Sequence, residues 1–127
     1  MMLYTGNMPI RHYPRVLSFK YASSGIYQAL KEEPNLKLHF LAGFLVILAG
    51  LLLQISNLDW AILIILIGLV ISVELTNTAL ETVVDSFTVA EHPGAKLAKD
   101  ISAGAVLVVA LTSAVVGIII FMPYLFL

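Results

Sequence analysis

Glu74, Asn77, Glu81 and Asp85 stand at offsets of 0, 3, 7 and 11 residues in the second half of a long apolar run. At about 100° per residue in a helix they cover an arc of roughly 80°, so they share one face. A carboxylate at mid-membrane costs about 2.5–3.5 kcal/mol even on the lenient insertion scale, so an aligned row needs partners or a wet cavity and cannot face lipid. The chemistry open to such a row is that of hard oxygen ligands and of a general base. Mg²⁺ takes one or two carboxylates together with substrate phosphates and water, and Glu33 and Glu81 are the pair expected to converge on it. A nucleotide is then the natural soluble partner, because the metal screens its phosphates from the acids while Lys96 and Lys99 add positive charge. Glu74, deeper and partly desolvated, suits a general base acting on an alcohol.

Other chemistries drop out. No Walker A sequence, G-x-G-x-x-G, Ser-His-Asp order or H-E-x-x-H occurs. Without cysteine, disulfides, thiolate metal sites and cysteine nucleophiles are excluded. A net charge of −1 gives no electrostatic reason for a nucleic-acid partner. Among isolated histidines, His39 reads as an interfacial or packing residue and His92, beside Pro93-Gly94, as a turn histidine.

The elements that position the row follow from composition. With 127 residues the chain is one domain, and 60% hydrophobic against 12% charged residues excludes a water-soluble monomer and a disordered chain. Crossing a ~30 Å hydrocarbon core takes about 20 helical residues. Three spans are expected, over about 35–55, 58–86 and 98–123. An amphipathic surface helix over about 18–33 precedes them, with Phe19, Ala22, Ile26, Ala29 and Leu30 opposite Lys20, Ser23, Ser24 and Lys31. Residues 1–17 read as a tail and 18–127 as the functional domain.

Pro34 disfavours helix at Glu33, so a bend is expected there. Ser56 and Asp59 form a capping signature that starts the second span, and Trp60 anchors it at the interface. All seven basic residues lie before the first span or between the second and third, which puts the N-terminus in the cytoplasm and the C-terminus outside. Measured from Trp60 at 1.5 Å per residue, Glu74 lies roughly 21 Å deep and Glu81 roughly 31 Å. The ladder of acids thus runs from lipid to cytosol, which suits a reaction between a membrane-borne and a soluble molecule. An ion- or proton-coupled transporter subunit, the alternative from another class, would carry polar groups through both membrane halves. A non-catalytic assembly subunit would tolerate loss of the carboxylates.

The segments Glu74-Leu75-Thr76-Asn77-Thr78-Ala79-Leu80-Glu81 with Asp85, and Lys99-Asp100 followed by Ser102-Ala103-Gly104-Ala105-Val106, resemble the signatures of the small prokaryotic diacylglycerol kinase family. Glu33-Pro34-Asn35 with Lys37 and His39 is more similar to the Gram-positive branch, the undecaprenol kinases. The resemblance implies an all-α integral membrane kinase of the bacterial inner membrane, a homotrimer with active sites shared between neighbours. It implies phosphoryl transfer from ATP with Mg²⁺ to the hydroxyl of a long-chain lipid alcohol, undecaprenol or, as the alternative, diacylglycerol. Glu74 would be the base, Asn77 would orient the site, and Glu33 and Glu81 would hold Mg²⁺ on the ATP phosphates. Tyr21, Glu91, His92, Lys99 and Asp100 would contact ATP. Two positions depart from the pattern: Ser23 stands where many relatives carry tryptophan, and Arg15 matches the family's N-terminal arginine only loosely.

Overall fold

The computed structural model describes residues 15–126, all helical apart from short connections. Four helices follow one another: α1 (Arg15–Glu32), α2 (Pro34–Leu53), α3 (Asn57–Phe87) and α4 (Pro93–Phe126). The tail expected over 1–17 lies outside the described residues up to position 14, and 15–17 belong to α1. The last three helices are long and apolar enough to cross a membrane. At 1.5 Å per residue α2 is about 30 Å long and α3 about 46 Å, so α2 matches a hydrocarbon core and α3 overshoots one.

Helix boundaries have local causes. Glu33 is extended, with φ −101° and ψ 109°, and Pro34 occupies the first turn of α2, where its missing N–H costs nothing. The backbone therefore bends between α1 and α2 at the residue expected. Gln54 ends α2 in the left-handed region at φ 51°, its amide returning to the Gly50 carbonyl. Ser56 caps α3 and accepts the Asp59 amide at 3.2 Å. Asp59 does not complete a reciprocal capping box: its carboxylate accepts the Tyr124 hydroxyl at 2.6 Å, and that hydroxyl accepts the Ser56 amide at 3.0 Å. Tyr124 thus relays the second capping bond from α4.

Helix α4 begins at Pro93, five residues before the expected start of the third span, because proline preset for helix fits its first position. The His92 ring accepts the Gly94 amide through Nδ1 at 3.0 Å, so Pro93-Gly94 is a helix start rather than a free turn.

Packing is uneven along the bundle. Helix α3 is the central element, meeting α4 most extensively and then α2, while α1 leans on α2 and α3. The buried apolar cluster of Ile55, Leu63 and Ile120, with Trp60, Val116 and Tyr124 packed around it, sits at the Trp60 end. Trp60 lies so close to α2 that a Cβ at Gly50 would come within 2.8 Å of its ring. Elsewhere Phe44, Leu52, Ile65, Val108 and Ile119 are exposed, which makes the outside of the bundle apolar. On α1, Ala29 and Leu30 are half-buried while Phe19 and Ile26 are exposed.

Candidate functional site

Glu74 and Asn77 lie on one face of α3, three residues apart. They are 2% and 8% exposed, and among the described residues the other buried side chains are apolar. Burying a polar group without a partner is costly, and among the described residues three side-chain oxygens are buried with no hydrogen-bond partner: Glu74 Oε2 and Asn77 Oδ1 here, and Ser113 Oγ on α4. Asn77 Nδ2 donates to Glu81 Oε1 at 3.4 Å, fixing which amide atom is left over. Glu33, at the α1–α2 bend, does not cap α2 with its side chain. Glu33, Glu81 and His39 all stand close enough to Glu74 to act on it electrostatically. The α1–α2 bend carries Glu33 toward the α3 face that holds Glu74, Asn77 and Glu81.

One turn beyond Glu81 the row leaves the bundle. Asp85 is exposed and accepts from Lys99 Nζ at 2.9 Å, tying α3 to α4. Around this pair lies an open cleft of about 800 Å³, lined by Asp85, Glu91, His92, Lys96, Lys99 and Asp100 among others. Its second cation is also held, Lys96 pairing with Asp100 at 2.5 Å. The cleft thus gathers Glu91, His92, Lys99 and Asp100 as the sequence leads one to expect, and Lys99 lies near enough to Glu81 to feel its charge. Tyr21 is on α1 and is not among the residues lining the cleft. The site has two adjoining parts, a buried acidic one and a solvated one of mixed charge.

Sequence reasoning underrated one residue: His39 belongs to the surroundings of Glu74. Its spacing of six residues from Glu33, nearly two helical turns past the bend, is the signal available beforehand.

The family model for prokaryotic diacylglycerol kinase matches residues 20–121, which takes in both parts of the site. The chain belongs to the prokaryotic diacylglycerol kinase family. Within this family it is 44% identical over 108 residues to the undecaprenol kinase of Bacillus subtilis (strain 168), covering 85% of this chain and 88% of that protein. To the diacylglycerol kinase of Synechocystis sp. (strain ATCC 27184 / PCC 6803 / Kazusa) it is 41% identical over 110 residues, 85% of this chain but 62% of the relative.

Whether the site fits a divalent cation can be tested on its donors. Among the described residues no group of three or more histidine, cysteine or acidic side chains is arranged to cage a metal. A Mg²⁺ ion carried with substrate phosphates does not need one, since one or two carboxylates suffice. Glu33 and Glu81 supply that number beside Glu74, and the unpartnered Asn77 Oδ1 is a further hard oxygen. The residues of this family member fit the ion in that mode.

Proposed function

We propose that the protein is a membrane lipid kinase that transfers the γ-phosphoryl group of MgATP to the terminal hydroxyl of undecaprenol at the cytoplasmic interface. The observation that carries this reading is the buried, unpartnered carboxylate oxygen of Glu74, within the electrostatic reach of Glu33 and Glu81 and directly after the apolar stretch of α3. Such an oxygen is held ready for a proton donor that is absent until a substrate arrives, and a lipid hydroxyl reaching it through the membrane is one.

In this reading Glu74 takes the hydroxyl proton. Asn77 keeps its amide N–H on Glu81 and so holds the Glu81 carboxylate in place. Glu33 and Glu81 hold Mg²⁺, which when bound neutralises phosphate charge as transfer proceeds. ATP occupies the cleft between the α3 end and the α4 start, with Tyr21, Glu91, His92, Lys99 and Asp100 as its contacts. Lys99 must exchange Asp85 for phosphate, so nucleotide entry rearranges the pair that joins α3 to α4. The work is positioning and charge stabilisation.

The same reading puts α1 on the inner leaflet, the N-terminus in the cytoplasm and the C-terminus outside. It takes three copies to complete shared sites, in keeping with the exposed apolar faces of α2, α3 and α4. Undecaprenol is preferred as acceptor because the Bacillus relative bears that name and is matched over most of its length. Diacylglycerol stays as the alternative through the Synechocystis relative. Purified protein in detergent, given Mg²⁺ and ATP, should phosphorylate undecaprenol faster than diacylglycerol assayed alongside. A preparation inactive on both lipids would overturn the kinase reading, and a reversed preference would overturn the acceptor.

A further inference from the structure

His39 touches both halves of a question the kinase reading leaves open, namely how the acceptor hydroxyl is aimed. It is half-buried on α2, two residues past the α2 start-turn residue Lys37 and on a helix that packs on α3, which carries Glu74. It also lines a second cavity, about 270 Å³, enclosed between α2, α3 and α4. That cavity is largely apolar, with Ala42, Gly43, Val70, Ala114 and Gly117 in its walls and Ser113, whose buried hydroxyl has no partner, beside them. Val70 precedes Glu74 by four residues, about one helical turn, so the groove ends beside the carboxylate. A site for a whole drug-sized ligand takes about 300–1,000 Å³. The groove is smaller and accommodates a segment of a single hydrocarbon chain.

We propose that His39 orients the acceptor: its imidazole N–H holds the hydroxyl oxygen of a single-chain lipid alcohol whose chain lies in the α2–α3–α4 groove, and turns the O–H toward Glu74. This rests on the kinase reading above. An imidazole carries at least one N–H whether neutral or protonated, so it can hold a hydroxyl oxygen without gaining or losing a proton. The proton passes from hydroxyl to Glu74, the alcohol oxygen bonds to the γ-phosphorus, and the bond from that phosphorus to its bridging oxygen breaks, leaving ADP. The chain is the occupant of the groove because the walls are apolar apart from His39 and Ser113, and Val70, which lines it with His39, stands about one helical turn from Glu74.

The experiment is steady-state kinetics in detergent with undecaprenol and ATP varied separately. His39→Leu should raise KM for undecaprenol and lower kcat, together costing about tenfold or more in kcat/KM, as expected for one lost hydrogen bond in a buried setting. KM for ATP should stay within about twofold. His39→Gln keeps a side-chain N–H and should recover most of the loss. A Cβ at Gly117 meets nothing within 4 Å, so Gly117→Val, with two further carbons, should narrow the groove and raise KM for undecaprenol more than for geraniol, a short prenyl alcohol; Gly117→Leu narrows it further. If His39→Leu does not fold, His39→Ala takes its place.

Unchanged undecaprenol kinetics in the leucine variant, with Glu74→Gln inactive, would sink the His39 assignment and leave the kinase reading standing. Equal impairment of the leucine and glutamine variants would do the same, as it assigns His39 to shape alone. Turnover by Glu74→Gln at the parent rate would instead end the role of Glu74 as the base and with it the aim given to His39, whereas a parent protein inactive on both lipids would end the kinase reading. A change of oligomer size in Gly117→Leu, with no shift in KM, would give the groove to a second copy of the chain and overturn the chain's place in it.

Discussion

The two ends of α3 solve opposite problems with similar residues. At the Trp60 end, Asp59 is a carboxylate whose partner is supplied: Tyr124 donates to it at 2.6 Å and also takes the Ser56 amide, above a packed cluster of Ile55, Leu63 and Ile120. In the second half of the helix, Glu74 is more deeply buried yet has an oxygen with no partner, and two further acids act on it electrostatically. A buried polar group left unsatisfied costs about 1–3 kcal/mol, more when charged, so the second arrangement is retained against stability. One end of the bundle holds the structure together, and the other keeps its bonding capacity for something that comes and goes.

That contrast can be broken by substitution. Glu74→Gln should reduce lipid phosphorylation by about 10²–10⁴-fold, the usual contribution of a general base, while circular dichroism and thermal unfolding stay at parent values or improve. Stability lost in parallel with activity would place Glu74 with the structural residues instead. Glu81→Gln should cost roughly 10–100-fold, partly recovered by raising Mg²⁺, as loss of one of two carboxylate ligands requires. A magnesium titration reads this directly, and a deficit independent of metal concentration would move Glu81 out of the ion's reach.

The opposite end should behave in reverse. Tyr124→Phe removes a hydrogen bond to a charged group and should cost about 1.5–3 kcal/mol in denaturation, with kcat/KM for both substrates within twofold. Gly50→Ala drives a Cβ to 2.8 Å from the Trp60 ring and should destabilise by about 1–3 kcal/mol through overpacking, again without a kinetic change. The smallest effect is expected at the junction of the two halves of the site. Lys99→Gln should raise KM for ATP several-fold and leave the melting temperature unaltered, since its partner Asp85 is well exposed.

The features legible beforehand are those fixed by period and local chemistry. The row at positions 74, 77, 81 and 85 is visible because 100° per residue leaves no other arrangement, and Pro34 and Ser56 announce the bend and the cap within a few residues of themselves. What sequence could not supply comes from helices meeting. Asp59 and Tyr124 are 65 residues apart, and only the docking of α4 on α3 makes the hydroxyl the missing half of a cap. Lys99 finds Asp85 across the same seam. His39 looks like an interfacial histidine until the bend at Glu33 turns α2 back along α3. His92 looks like a turn residue until its ring is seen closing the first turn of α4.

The length of α3 has a consequence for where the protein can work. One uninterrupted rod, 31 residues long, carries Trp60 in its first turn and the carboxylates in its second half, which the proposed placement sets toward opposite surfaces of the bilayer. With no hinge between them, the height of Glu74 is set by the thickness of the surrounding lipid. A bilayer thicker by about 3 Å would draw the acids inward by about two residues' rise, unless the rod changes tilt. Catalysis should therefore track acyl-chain length in reconstituted vesicles, making the enzyme a ruler for the membrane it serves.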